Sequence, residues 1–351
     1  MPKSASYGAR GQWMRRTGYT RASTLGPIAG VVTANGGSIE RVFSRADLPV
    51  HLLDSPDTLL PLRDHFRLLA TASRELRDEA FAARLGRQTS IAGLGVYGKW
   101  VTRAPTLLEA MHRAGTSLPH MMQSATRLAI RRFGDEVHWS YELSDPATDG
   151  RPQNEMLALW YMIVAIRHFV GAGWLPNRIM VGGLPANARH SIDEQMGVDT
   201  VICDRPGTIV FNQRPLMAVN PHLSADLGLG ANELARIFDI PAPDDLPGNV
   251  RAIIDLELLG GRPDLSRIVR RAGLSKRTLQ RRLAELGLSF SDLLKDTLQR
   301  RAISLLCQPD QSITEIALML GYSDPAHFSR AFEKWSGVAP GRWRELAKSG
   351  G

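Results

Sequence analysis

Two clusters of polar and basic residues near the end of this 351-residue chain have the types and spacing needed to read a polyanion. In the first, Ser275 and Lys276 precede Arg277, Gln280 and Arg281. Arg277 and Arg281 are four apart, so they share a face if the segment is helical. In the second, Ala326 and His327 precede Ser329 and Arg330. Arginine can make a paired contact with guanine while neighbouring lysine and serine hold phosphates, which suits a helix entering a DNA major groove. Either cluster alone could equally be the solvated face of an ordinary helical hairpin. Their repetition in one basic region favours the reading role.

Each cluster follows the same short pattern. Ile268-Val269-Arg270-Arg271-Ala272-Gly273-Leu274-Ser275 returns 48 positions later as Ile316-Ala317-Leu318-Met319-Leu320-Gly321-Tyr322-Ser323. Apolar residues five, four and one positions before Gly suit a helix tucked tightly against a second one, and Gly supplies a backbone turn that a Cβ would crowd. The serine after it is expected to cap the next helix. Leu279, Leu283 and Leu286 then form the buried stripe of the first reader, and Phe328, Phe332 and Trp335 that of the second. Between them, Ser289 to Leu306 predicts a helix of 18 residues, roughly 27 Å long. It could hold two readers about one DNA turn, roughly 34 Å, apart. From 251 to 351 there are 17 Lys and Arg against 11 Asp and Glu, which is six of the chain's eight net positive charges.

The last hundred residues resemble the DNA-binding domain of the AraC (arabinose regulator) family of bacterial transcription factors. The resemblance is carried by Ile316 through Gly321-Tyr322, Ala326-His327-Phe328, Arg330, Phe332, Gly337, Pro340, Trp343 and Arg344. It implies an all-α domain of two helix-turn-helix units joined by a linking helix. DNA contacts would fall on Arg277 and Arg281 in the first unit and on Ala326, His327 and Arg330 in the second. Relatives often carry Arg four positions before the alanine matched by Ala302, whereas Leu298 stands here.

At 43% hydrophobic composition the chain can fill two ordinary domains. Its net charge of +8 favours a polyanionic partner. The longest apolar run, Met156 to Ile166, is too short to span a bilayer, and no signal peptide is read at the start; a cytoplasmic protein is expected. Cys203 and Cys307 are too few for a disulfide framework and are expected to be packed as small hydrophobes. No metal, cofactor or catalytic constellation is identifiable, and no enzyme is expected.

Residues 1–22 read as a flexible tail, 23–220 as an α+β effector-binding or oligomerisation domain, 221–250 as a Pro-rich linker, and 251–351 as the DNA-binding domain. Within the second segment the pattern predicts helices through Val31, near Ile39 to Phe43, from Pro61 to Leu85 and from Pro105 to Leu118. Strands follow at Arg127 to Arg131 and Glu136 to Leu143, then a helix at Asn154 to Val170 and another at about Ala188 to Met196. Short strands are expected at Arg178 to Val181, Thr200 to Cys203 and Thr208 to Phe211. Gly86 is read as ending a helix, and Gly93, Gly95 and Gly98 do not form a phosphate-cradling loop. The order resembles the arabinose-binding-type N-terminal domain of the same family, on patterns such as Asp54-Ser55-Pro56-Asp57 and Pro105-Thr106-Leu107. It does not read as an all-strand sugar-binding barrel.

Trp139, Tyr141, Trp160, Tyr161, His168 and Trp174 are candidate contacts to a small-molecule effector, since large rings with a polar edge grip organic ligands. As plain core aromatics they would look the same. The expected function is a sequence-specific transcription regulator acting on double-stranded DNA. RNA polymerase contact and homodimer formation are implied by the family, and no membrane partner is expected. An architectural DNA-binding protein without effector, or an enzyme fused to a DNA reader, are the alternatives.

Overall fold

The computed structural model describes residues 18–349 apart from 146, 204, 224–239, 243 and 309–310. Two compact units are present, Met1–Ala242 and Pro243–Gly351.

The first unit is α+β. Strand β1 (Tyr19–Arg21) pairs antiparallel with β2 (Leu59–Pro61), and two seven-residue helices, α1 (Ile28–Ala34) and α2 (Ile39–Arg45), lie between them in sequence. Next come α3 (Leu62–Leu76), α4 (Phe81–Arg87), α5 (Gly95–Thr102) and α6 (Leu107–Met121). A hairpin follows, β3 (Thr126–Phe133) and β4 (Glu136–Leu143), turning at Gly134 where φ is +59°. The long α7 (Arg151–Val170) leads to β5 (Arg178–Val181), α8 (Arg189–Met196), β6 (Thr200–Ile202) and β7 (Gly207–Asn212). The sheet order is β3-β4-β7-β5-β6, with β5 and β6 parallel and the other pairs antiparallel.

Alternation in β4 explains the layering. Val137, Trp139 and Tyr141 are buried and occur at every second position, so they leave one face of the sheet together. Helix α7 packs against β4, β5 and β7, and α4 packs on α7. Glu155, buried in α7, joins these layers: it bonds Arg151 at 2.9 Å and accepts the Gly207 N–H of β7 at 3.0 Å.

Several expectations are corrected here. The single helix predicted from Pro61 to Leu85 is two helices, because Arg77 adopts φ +52° after α3 and Asp78 then accepts the Ala80 N–H at 2.9 Å. Gly86 lies inside α4 and does not end it; a Cβ there would stand 2.3 Å from the Trp160 ring, so its role is close helix packing. The expected tail is shorter at its inner end, since buried strand β1 begins at Tyr19; residues 1–17 lie outside the described residues. Both β1 and β2 are too short for their three-residue patterns to stand out. Cys203 is half-buried, and Cys307 is exposed rather than packed.

The second unit is helical throughout its described residues. Helix α9 (Leu246–Leu258) starts inside the stretch read as linker, capped by Asp245, whose side chain accepts the Gly248 N–H. Residues 224–239 of that stretch lie outside the described residues. After α9 come α10 (Leu265–Ala272), α11 (Lys276–Glu285), α12 (Phe290–Leu306), α13 (Ile313–Met319), α14 (Pro325–Ser336) and α15 (Pro340–Ser349). Helix α12 is the predicted strut, and a reciprocal cap between Ser289 and Asp292 fixes its start. Among the described residues no helix is long and apolar enough to cross a membrane.

Candidate nucleic-acid interface and effector cavity

The two Gly turns are built alike. At Gly273, φ is +66°; its N–H donates to Arg270 O and the Leu274 N–H to Val269 O, at 3.1 and 2.9 Å. At Gly321, φ is +79°; its N–H donates to Leu318 O and the Tyr322 N–H to Ala317 O, both at 2.9 Å. This paired closure satisfies the last helical carbonyls and swings the chain into the following helix. The first following helix is capped as expected, with Ser275 Oγ accepting the Thr278 N–H at 3.1 Å. The second is capped by Asp324, which accepts the Ala326 N–H at 2.8 Å, not by Ser323. Pro325 takes the first helical position, so the cap moves one residue on.

On α11, Leu279 and Leu283 are buried, while Lys276, Arg277, Gln280 and Arg281 are exposed, with Ser275 at the exposed cap. Leu286, expected in the stripe, lies past the helix end and is exposed. Arg281 is not idle: it bonds Glu285 at 2.8 Å, but both side chains are over half exposed. Such a pair holds only about 0–1 kcal/mol, so a phosphate or base edge can displace it. On α14, Phe328 and Phe332 are buried against Ile316 and Ala317, and Ala326, His327 and Arg330 face solvent. Ser329 is half-buried and donates to Pro325 O at 3.0 Å, so its hydroxyl is already bound to its own helix.

Buried charge holds α10, the helix before α11. Glu257 of α9 accepts a hydrogen bond from Arg271 Nε at 2.6 Å, with each side chain only 2% exposed, and forms an ion pair with Arg267 at 2.9 Å. Arg271 belongs to the Gly-turn motif, so part of this region's positive charge is internal.

In the first unit a cavity of about 70 Å³ opens between β4, α6 and α7. Trp139, Tyr141 and Tyr161 line it. The other three candidate rings do not. Trp160 faces Gly86 across the α4–α7 contact, and Trp174 sits edge-on to Phe211 with ring centroids 5.5 Å apart. His168 packs on Phe169 and His222, at 5.2 and 5.0 Å. On a helix, neighbouring residues point in different directions, so α7 sends Tyr161 to the cavity and Trp160 to α4.

Beside these rings the cavity is lined by four polar side chains that residue spacing did not single out: Thr24, His65, Gln123 and Asn154. They come from four separate parts of the chain. The one visible signal was a histidine on the apolar stripe of α3. Tyr141 Oη receives a hydrogen bond from Asn154 Nδ2 at 2.9 Å and another from Gln123, and burial pushes its pKa up to about 12. His65, 1% exposed, lies with Nε2 3.2 Å from Thr24 Oγ1. Burial pushes its pKa down from 6.5 to about 4, opposed only in part by the Asn154 amide.

That shift has a sign. The unfolded chain binds a proton at His65 near pH 6.5 while the folded chain resists until about pH 4. Stability is therefore full above pH 6.5 and falls as pH drops from there towards 4. Melting of the protein between pH 7 and 4 should show this decline, and His65→Leu should flatten part of it. An identical slope in the variant would assign the acid sensitivity elsewhere.

Among the described residues no group of three or more His, Cys, Asp or Glu is placed to hold a metal ion. Comparison with known proteins gives matches for both units. Residues 36–218 match the family described as the arabinose-binding domain of AraC transcription regulator, N-terminal, and residues 268–346 match a helix-turn-helix domain. The chain is 25% identical over 337 residues to the ornithine utilization regulator of Pseudomonas aeruginosa, covering 90% of this chain and 93% of that protein. It is 24% identical over 340 residues to the HTH-type transcriptional regulator VirS of Mycobacterium tuberculosis, covering 92% and 96%. The crystal structure of the transcriptional regulator CdpR from Pseudomonas aeruginosa shares 22% identity and a TM-score of 0.36, covering 77% of this chain and 87% of that one.

Proposed function

Because the chain belongs to the AraC family of transcription regulators, we propose that it reads DNA with α11 and α14 in successive major grooves and responds to a small molecule in the cavity of its first unit. The observation that carries the DNA reading is the duplicated device: two glycine turns with the same hydrogen bonds, each launching a capped helix with an exposed polar face. Arg277, Arg281 and Arg330 are the base-reading candidates, with Gln280 and His327 beside them. Ser275 and Lys276 suit phosphates, and Ala326 offers a small apolar contact. Ser329 keeps its bond to the helix and supports Arg330 by position alone.

Contact with RNA polymerase and pairing of two protomers on DNA belong to the same reading, as does a cytoplasmic location. Ligand control acts through different affinities for two arrangements of the protein, and the Pro-containing connector before α9 is where such a change would be passed on.

Selection of binding sites from fragmented genomic DNA by the full-length protein, at near-physiological salt with excess competitor, tests this directly. Two short sequence blocks about ten base pairs apart are expected. Recovery of DNA with no shared motif and a steep salt response would replace the reading with an architectural role. On the selected site, Arg281→Ala should cost about 1–3 kcal/mol and relax preference at one position of the first block. Equal weakening on all DNA would make Arg281 a phosphate contact.

A further inference from the structure

The two readers share a construction but not a charge. From Asp264, the cap of α10, to Leu286 at the end of α11 there are seven Lys and Arg against two Asp and Glu, a net charge of +5. From Ser312, the cap of α13, to Gly337 at the end of α14 there are two against three, a net charge of −1 with histidine counted neutral. Arg267 and Arg271 are bound to Glu257, yet leaving both out still gives the first reader five cations against two acids.

Overlaying the two reading helices at their caps shows where the difference lies. The neutral cap Ser275 corresponds to Asp324, Lys276 to Pro325 and Arg277 to Ala326, and only Arg281 meets its like, in Arg330. The first turn of a reading helix is the part that meets base edges, and its free N–H groups attract phosphate. In α11 two exposed cations add to that attraction. In α14 no cation stands in the first turn, and the Asp324 carboxylate, 47% exposed, opposes it. At the far ends Glu285 corresponds to Lys334, but Glu333 stands beside the lysine.

We propose that the two readers divide the work: α11 anchors the chain to any duplex by charge, and α14 adds sequence discrimination with no net electrostatic pull of its own. This rests on the reading that both helices enter major grooves. Neutralised phosphates release counterions and give affinity that ignores sequence, and the first reader holds the cations for it. The second reader stays down only where its base contacts offset its charge, through Arg330 and the small apolar contact at Ala326. The first therefore holds the chain on DNA during the search, and the second engages where the second block matches. Ala326 is the specificity-determining position, because a cation there would give α14 the indiscriminate grip of α11.

Salt titrations of the full-length protein on its selected site and on unrelated DNA test this, together with duplexes cut to a single block. Lys276→Ala should weaken both DNAs alike and lower the slope of log affinity against log salt by about 1. Ala326→Arg should steepen that slope by about 1 and tighten unrelated DNA more than the selected site, where the small contact is lost. Both positions are exposed and both new side chains are good helix formers, so neither change threatens folding. A duplex with the first block alone should be bound at least about tenfold more tightly than unrelated DNA of its length. One with the second block alone should be bound no more tightly than unrelated DNA. Equal preference for either block alone would overturn the division of work and leave both helices as readers. An Ala326→Arg protein that gains nothing on unrelated DNA would overturn it too. Recovery of no shared motif by the unaltered chain would overturn the DNA reading itself, and this proposal with it.

Discussion

Glu257→Ala should cost the second unit about 3–5 kcal/mol, the loss expected when one partner of a buried ion pair is deleted. The carboxylate lies 2.6 Å from Arg271 and 2.9 Å from Arg267, and both it and Arg271 are 2% exposed. Without it, the Arg271 guanidinium keeps its charge in a site that water scarcely reaches. Arg267 and Arg271 are one helical turn apart on α10, so the single carboxylate of α9 clamps the helix that precedes the first reader. Loss of the clamp should therefore lower DNA affinity as well as stability. Because the chain has two units, melting must be followed with a probe for each, and only the transition of the second should move. The double change Glu257→Met with Arg271→Met removes both charges and should recover much of the loss, since apolar replacement of a buried pair is often near neutral. If the single variant melts unchanged, the pair is not a structural clamp.

Gly321→Val should destabilise the second reader by about 2–5 kcal/mol, from two separable causes. Its φ of +79° lies where a branched side chain is strained, roughly 1–2 kcal/mol even for an unbranched residue. In addition, a Cβ at this position would stand 3.0 Å from both Cα and N of Arg262, atoms of backbone that cannot swing aside, adding about 1–3 kcal/mol of overpacking. Gly337 separates the causes: its φ is +80°, but a Cβ there meets nothing within 4 Å. Gly337→Val should thus show the backbone strain alone and melt well above Gly321→Val. In site selection, Gly321→Val should lose the second sequence block before the first. Equal melting of the two variants would show that the approach to Arg262 costs nothing.

In the second unit the sequence determined the two glycine turns, the helices that follow them and the strut between, because their signals are local. A glycine with apolar residues five, four and one positions before it specifies a turn through bonds that span at most six residues. The strut α12 was equally plain, since its cap and stripe lie within one helix. In the first unit the hairpin, α7, β5 and β7 were legible for the same reason: alternation or helical period persists long enough to count. Where the pattern lasted three residues, as in β1 and β2, partners 40 residues apart supply the hydrogen bonds, and nothing local announces them.

Tertiary structure decided the rest. It separated Trp139, Tyr141 and Tyr161 from Trp160, His168 and Trp174, which aromatic character alone could not do, because the choice depends on which neighbour each ring meets. It gathered Thr24, His65, Gln123 and Asn154 into one cavity from four parts of the chain. It turned Arg271 inward, although composition counts it with the basic face. And it set the Gly321 turn against the backbone of Arg262, so that the second reader rests on the loop before the first. Helical period and turn chemistry are written in neighbouring residues; burial and juxtaposition arise only when distant segments exclude water from one another.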